Sequence, residues 1–321
     1  MAFYIARRLF WTLIVVAAVI AITFIVFYVL PAGDPAVRFA GKNPNTQELD
    51  LIRHRLGLDQ AWYVQFGKFI KTFFTGDQYG WPGLGYTFAG QASVLHLILQ
   101  RAPRTLLLIA GAAVIWLFSG VSIGILSAVK RRTLVDRGAM GFALFGISAP
   151  VFWLGLMGLY IFWRQLGWSG GTGYVSPSDS VTGFFSHMWL PWVALAMLYA
   201  AFYARMTRNN LLETLGEDYI RTARAKGLSE RTVIFKHGLR ASLTPIVTMF
   251  GLDIALLVGG AVITESVFNL QGLGYLAING ALSQDLPTVL GVVLLAAVCV
   301  AVANLLVDIL YAFIDPRVRY S

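Results

Sequence analysis

Apolar residues fall into six long runs along this chain, at roughly 9–30, 104–128, 138–163, 188–204, 246–265 and 287–313. A bilayer core about 30 Å thick takes about 20 apolar residues at about 1.5 Å each, so each run is read as a membrane-crossing helix. The fourth and fifth runs are short or carry polar residues. The first, Leu9–Leu30, is longer than the roughly 7–15 apolar residues of a secretory leader core, so it is read as an uncleaved first span. The pattern predicts an all-α integral membrane protein of six transmembrane helices. Residues 1–30 form the N-terminal segment and first helix. Residues 31–103 form an extracytoplasmic loop with short helices. Residues 104–321 form a five-helix core that contains a polar link, 205–245.

The polar connections carry their own patterns. "NPNTQELDLIRHRLGLD" predicts a short helix capped by Asn45 or Thr46 and ending near Gly57. In "AWYVQFGKFIKTFFTGD", Trp62, Phe66, Phe69 and Phe73 recur at helical spacing. Such a face suits either the membrane interface or the outer end of the bundle. "PAGDPA" (31–36) and "WPGLGY" (81–86) read as turns.

Composition agrees with this reading: 57% of the 321 residues are hydrophobic and only 13% charged, about half the charged share of a soluble domain. The net charge is +9, which the positive-inside bias of membrane proteins can produce without nucleic acid as a partner. Arg7 and Arg8 precede the first run, and Lys130, Arg131, Arg132 and Arg137 fill the link 129–137. Eight lysines and arginines lie in 205–245, and Arg317 and Arg319 in the tail, whereas 165–187 and 266–286 have none. This alternation places both termini and the 205–245 link in the cytoplasm. The 31–103 link holds seven basic residues, but it exceeds the roughly 60-residue limit of the rule.

Little of the sequence points to bond-making chemistry. Cys299 is the single cysteine, and His54, His96, His187 and His237 are far apart, so no metal site is expected. "GVSIG" (120–124) matches the nucleophile pattern GxSxG around Ser122. It lies inside an apolar run rather than at a strand-to-helix turn, so Gly120 and Gly124 are read as a close-packing pair. "GAMGFALFG" in the third run has the same small-residue character. No GxxxxGK[ST] occurs, so no nucleotide cofactor is expected on this chain. Three ionisable residues fall inside the runs: Asp253, Glu265 and Asp308. Each is read as a pathway or a paired structural group. Asp253 and Asp308 are expected near the cytoplasmic ends of their runs, paired with a loop arginine or facing a hydrated cavity, and Glu265 near the outer end, close to water. Trp116, Trp153, Trp163 and Trp189 are read as interfacial or packing residues.

The stretch "GEDYIRTARAKGLSERTVIFKHGLR" (216–240) stands out as polar and helix-prone between two apolar runs. Glu217 and Asp218 suit the positive end of a helix dipole. Tyr219, Arg221, Thr222, Ala223, Arg224, Ala225 and Lys226 continue that helix. Gly227 is placed to end it, and Leu228 and Ser229 to start a second. Two helices tied between membrane anchors leave no room to enter a nucleic-acid groove. Small residues at the turn are expected to admit another protein closely.

These residues resemble the cytoplasmic loop of permease subunits in ATP-binding-cassette importers, where the pattern is EAA, three residues, Gly, nine residues, Ile-x-Leu-Pro. Only Ala223, Gly227 and Leu239 match the general pattern, whereas "EDYIRTARAKGLSERTVIFKHGLR" is similar to the dipeptide/oligopeptide/nickel permease version over nearly its whole length. "FYIARRL", "PAGDPA", "LGLDQAWYVQFGKFIKTFFTGDQYG", "ESVFNLQGLGYL" (265–276, with Gln271 in place of a proline) and "NLLVDILYAFIDPRVR" (304–319) resemble other parts of that family's first permease subunit. The resemblance implies a bacterial or archaeal plasma-membrane transport subunit, not an enzyme, forming half of a translocation pathway. It implies a second permease, two ATPase subunits or domains that hold the ATP and Mg, and an extracellular solute-binding protein. The 217–229 residues would form the coupling helix that docks on an ATPase. Peptides are the expected solute, with nickel chelates or oligosaccharides as alternatives within the family. An ion-driven secondary transporter is the alternative from another class, and it calls for midplane carboxylates that the runs lack.

Overall fold

The computed structural model describes residues 2–26, 36–39, 45–56, 59–87, 92–283 and 285–314. Among them there is no strand, only isolated bridges between Asp77 and Gly80 and between Tyr86 and Ser93. Among the described residues, four helices are long and apolar enough to cross a membrane, and up to six spans result if each of two bent helix pairs counts as one. "PAGDPA" up to Pro35, Gly57 and the tail from Asp315 lie outside the described residues.

The chain divides into two compact units. The first comprises 1–103 and 272–321. It contains α1 (Ala2–Phe24), α2 (Ala36–Phe39), α3 (Thr46–Leu56), α4 (Trp62–Thr75), the start of α5 (Val94–Val129), α14 (Leu273–Leu282) and α15 (Leu286–Ile314). α1 and α14 both pack on α15. Ile20, Leu290 and Leu294 form a buried cluster against which Phe66, Phe69, Ile70 and Phe73 of α4 are packed. The Phe24 ring lies 5.1 Å from Phe66 and 5.7 Å from Phe69. So the aromatic stripe of α4 is spent on the helix bundle, while Trp62, Tyr63 and Phe74 remain exposed. After α4 the chain reverses around Asp77, whose carboxylate accepts from the Tyr79 and Gly85 amides at 2.7 and 2.8 Å.

The second unit comprises 104–271. It contains the rest of α5, α6 (Leu134–Ser148), α7 (Val151–Gly158), a π-wound continuation (Leu159–Gln165) and α8 (Val181–Thr214). These are followed by α9 (Asp218–Ala225), α10 (Glu230–Thr232), a π-wound segment (Val233–Gly238), α11 (Leu239–Ser242), α12 (Thr244–Val258) and α13 (Val262–Val267). α8 is its axis: α6, α7, α11, α12 and α13 all pack on it. α5 approaches α8 through glycines. A methyl group at Gly120 would lie 2.9 Å from the Ala200 carbonyl, and one at Gly124 would lie 2.5 Å from the Thr207 Cβ. Only a residue without a side chain allows backbones this close. Leu108, Ala112, Trp116, Met188, Leu195, Ala196, Tyr203 and Phe268 belong to the core so formed.

The structure redraws three of the apolar runs. The third bends by 101° between α6 and α7, where Ala149 is extended ahead of Pro150, the conformation that a following proline favours. The fourth is part of a helix of 34 residues, because polar residues at both ends continue the winding where hydropathy falls away, from the Ser180 cap to Thr214. The fifth ends at Val258. Gly259 and Gly260 follow, the latter at φ 115°, so Glu265 sits on a separate helix, α13.

Candidate functional site

The polar stretch leaving α8 folds into a compact knuckle. Glu217 is extended and starts α9, with Asp218 in its first turn. Thr222 Oγ1 donates to the Asp218 carbonyl at 3.0 Å, and Arg221 pairs with Asp218 at 3.3 Å on the exposed face. α9 stops at Lys226 because Gly227 takes φ 78°, a left-handed conformation that costs any other L-residue but asparagine or aspartate appreciably. Ser229 Oγ then accepts from the Thr232 amide and starts α10. Ile220, Ala223 and Val233 are buried against one another, with Leu215 at the edge. Gly238 lies so close to Leu211 and Leu215 that an added methyl would sit 3.2 and 3.1 Å away, which fastens the second half of the knuckle to the end of α8.

Of the two small residues before the turn, Ala223 is buried in the knuckle's own interior and Ala225 is exposed. Glu217, Asp218, Tyr219, Arg221, Thr222, Arg224, Ala225, Lys226, Gly227, Leu228 and Ser229 are all exposed. Tyr219 is exposed overall, but partial desolvation of its phenol, and after it the Glu217 carboxylate, shifts the phenol upward. Arg224 Nε donates to Glu230 Oε1 at 2.7 Å, but both side chains face solvent. Exposed pairs contribute about 0–1 kcal/mol, so Glu230→Ala is expected to change thermal stability within that margin, as a melting curve would report. Lys226 and Arg231 form no ion pair among the described residues.

Next to the knuckle, Ser122, Ile125, Leu126 and Val129 of α5 and Arg231, Ile234 and Phe235 line an open groove of about 610 Å³. Its lining holds no histidine, carboxylate or lysine that could serve Ser122 as a base. Among the described residues no group of His, Cys, Asp or Glu side chains could hold a metal ion.

The carboxylates inside the runs differ from one another in their surroundings. Glu265 is fully buried and accepts from Thr105 Oγ1 at 2.7 Å, away from water. Asp253 meets no arginine; Tyr203 Oη donates to its Oδ2 at 2.6 Å. The Asp308 side chain lies outside the described residues. Trp116 is wholly buried, whereas Trp153 and Trp163 are exposed.

One ionic site had no counterpart among the sequence expectations. Asp136, at the start of α6, is buried and accepts from Arg208 Nε at 2.7 Å and Arg208 Nη2 at 2.9 Å. Ser127 Oγ and the Arg132 amide donate to the same carboxylate. The clamp joins the end of α5, the start of α6 and the last turns of α8, the helix that leads into the knuckle. Asp136 fell in a link crowded with basic residues, where one more charge draws no notice. Its only sequence signal was Thr133 three residues before it, the N-cap of α6.

Comparison with known proteins gives one answer along the whole chain. Residues 120–320 match the family described as binding-protein-dependent transport system inner membrane component, and residues 1–109 match its N-terminal companion. A protein of Brucella abortus named as a peptide transport system permease is 38% identical over 317 residues, covering 99% of each chain. The dipeptide transport system permease protein DppB of Alkalihalophilus pseudofirmus is 34% identical over 337 residues, again covering 99% of each. Among solved structures, the inward-facing MetNI methionine ABC transporter is similar in fold, with a TM-score of 0.52 at 20% identity, covering 69% of this chain and 97% of that one. An amino acid ABC transporter crystallised with histidines gives 0.50 at 17% identity, covering 70% and 94%. With both family matches end to end along it, the chain belongs to the inner-membrane components of binding-protein-dependent transport systems, the permease subunits of ABC importers.

Proposed function

We propose that this chain is one of two permease halves of an ATP-driven peptide importer, and that its 216–240 knuckle is the surface on which a cytoplasmic ATPase docks. The observation that carries the docking reading is the knuckle's own buried core: it presents a preformed, charged surface fastened to α8. A surface already ordered costs little entropy on binding. The peptide reading is supported by full-length relatives, 34–38% identical, whose names specify peptides or dipeptides. Six spans fit if each bent pair crosses once, and the distribution of lysine and arginine then favours cytoplasmic termini. This chain holds the bundle; two ATPase subunits or domains bind the ATP and Mg, and a solute-binding protein delivers the peptide from outside. The ATPase can shift the bundle only as far as its docked forms favour one bundle state over another.

The test is co-purification of this chain with tagged ATPases and the second permease, followed by uptake in proteoliposomes. The native complex is expected to hold together and to import peptide only with ATP. Replacing 216–240 by a polar linker of equal length is expected to release the ATPases while the two permeases stay paired. Gly227→Trp, strained at φ 78° and bulky on the exposed turn, is expected to cut uptake about tenfold or more with the permease pair intact. Retention of the ATPases by the linker variant would refute docking through this surface.

A further inference from the structure

Asp253 is a carboxylate within an apolar helix, and among the described residues it has no cationic partner. A charge in such a place is costly and calls for a partner. Tyr203 supplies one hydrogen bond, to Oδ2. Among the described residues Oδ1 accepts none, and Asp253 is half-buried, so the carboxylate is not sealed from an incoming group.

Around this carboxylate the second unit assembles aromatic faces. Trp116 stacks on Tyr199 with ring centroids 4.7 Å apart, meets Phe250 edge-on at 5.8 Å and leans on Tyr203 at 6.5 Å. Tyr199 lies one helical turn before Tyr203 on α8 and stacks in the same cluster. Trp116 and Tyr203 are sealed, while Tyr199, Phe250 and Asp253 are half-buried, so an incoming group can reach only these three. Trp116 Nε1 is buried without a hydrogen-bond partner. Electron-rich rings beside a carboxylate that lacks a countercharge favour an organic cation, through ion pairing and cation–π attraction together.

We propose that Asp253, with Tyr199 and Tyr203 beside it, binds a protonated amine of the transported solute during its passage. In the peptide-importer reading, on which this inference rests, that group is the N-terminal ammonium of the peptide. The site selects for a free amine and tolerates different side chains, because it contacts a group that unmodified peptides share.

The experiment uses the complete complex in proteoliposomes, with trialanine and N-acetyltrialanine as probes. Asp253→Asn keeps the shape and an acceptor for Tyr203 but removes the charge. It is expected to lower trialanine uptake about tenfold, to leave any uptake of the acetylated peptide unchanged, and to leave thermal stability and subunit assembly as in the native complex. Asp253→Glu is expected to restore most of the trialanine uptake. Native-rate uptake of trialanine by Asp253→Asn would overturn the proposal. So would an equal proportional loss of both peptides, or a loss that Asp253→Glu does not relieve; each would make Asp253 structural. A native complex that imports neither peptide with ATP would instead remove the peptide-importer reading beneath it.

Discussion

Gly124→Leu is expected to abolish the folded permease. Even a methyl group there would lie 2.5 Å from the Thr207 Cβ and 2.7 Å from the Ala204 carbonyl, and neither is the movable end of a flexible side chain. The only relief is to part α5 from α8, the axis of the second unit, and so to open the core around Trp116 and Tyr203. Overpacking a core costs about 1–3 kcal/mol when side chains can shift, and a backbone contact puts this case at or above that range. Size-exclusion chromatography in detergent is expected to give aggregate in place of a single peak, with Gly124→Ala intermediate. Gly138→Ala is the control: it lies in α6 with nothing within 4 Å, and alanine is the better helix former by about 1 kcal/mol. A well-folded Gly124→Leu would mean that α5 and α8 are farther apart than these contacts place them.

Arg208→Ala is expected to be the next most damaging change, at about 3–5 kcal/mol, because it leaves the buried Asp136 without a countercharge. The Asp136 side chain is only 7% exposed and that of Arg208 20%, so water cannot take over the missing contacts. Asp136→Ala is expected to cost a similar amount by stranding the guanidinium. The double variant separates this from simple loss of contacts. A pair that costs as much to bury as it returns gives a double variant well short of the summed singles, a coupling of about 2 kcal/mol or more in thermal unfolding. Strictly additive losses would show that the two groups act independently.

The helical pattern was legible where composition alone decides it. The first, second and sixth runs became long helices, and the knuckle's boundaries followed from Glu217, Gly227 and Ser229, whose backbone preferences are local. What failed to show was decided by neighbours distant in sequence. The face of α4 had two plausible destinations, and only its contact with Phe24 and Leu290 separates them. Nothing local shows that Val233 folds back over Ala223 and buries it. Asp136 was passed over because its partner is 72 residues away. Asp253 was noticed for its cost in an apolar segment, but a tyrosine partner leaves no charge pattern to read.

The small core of the knuckle has a consequence for how the protein is made. Leu215, Ile220, Ala223 and Val233 all lie within one short stretch, so closing their contacts costs little chain entropy. Structure of such low contact order forms quickly, and it needs nothing from α12 onward. During synthesis the knuckle is therefore expected to be complete while later spans are still on the ribosome. A partner that recognises its shape would then meet a finished surface on an unfinished protein, and assembly could begin before the chain ends.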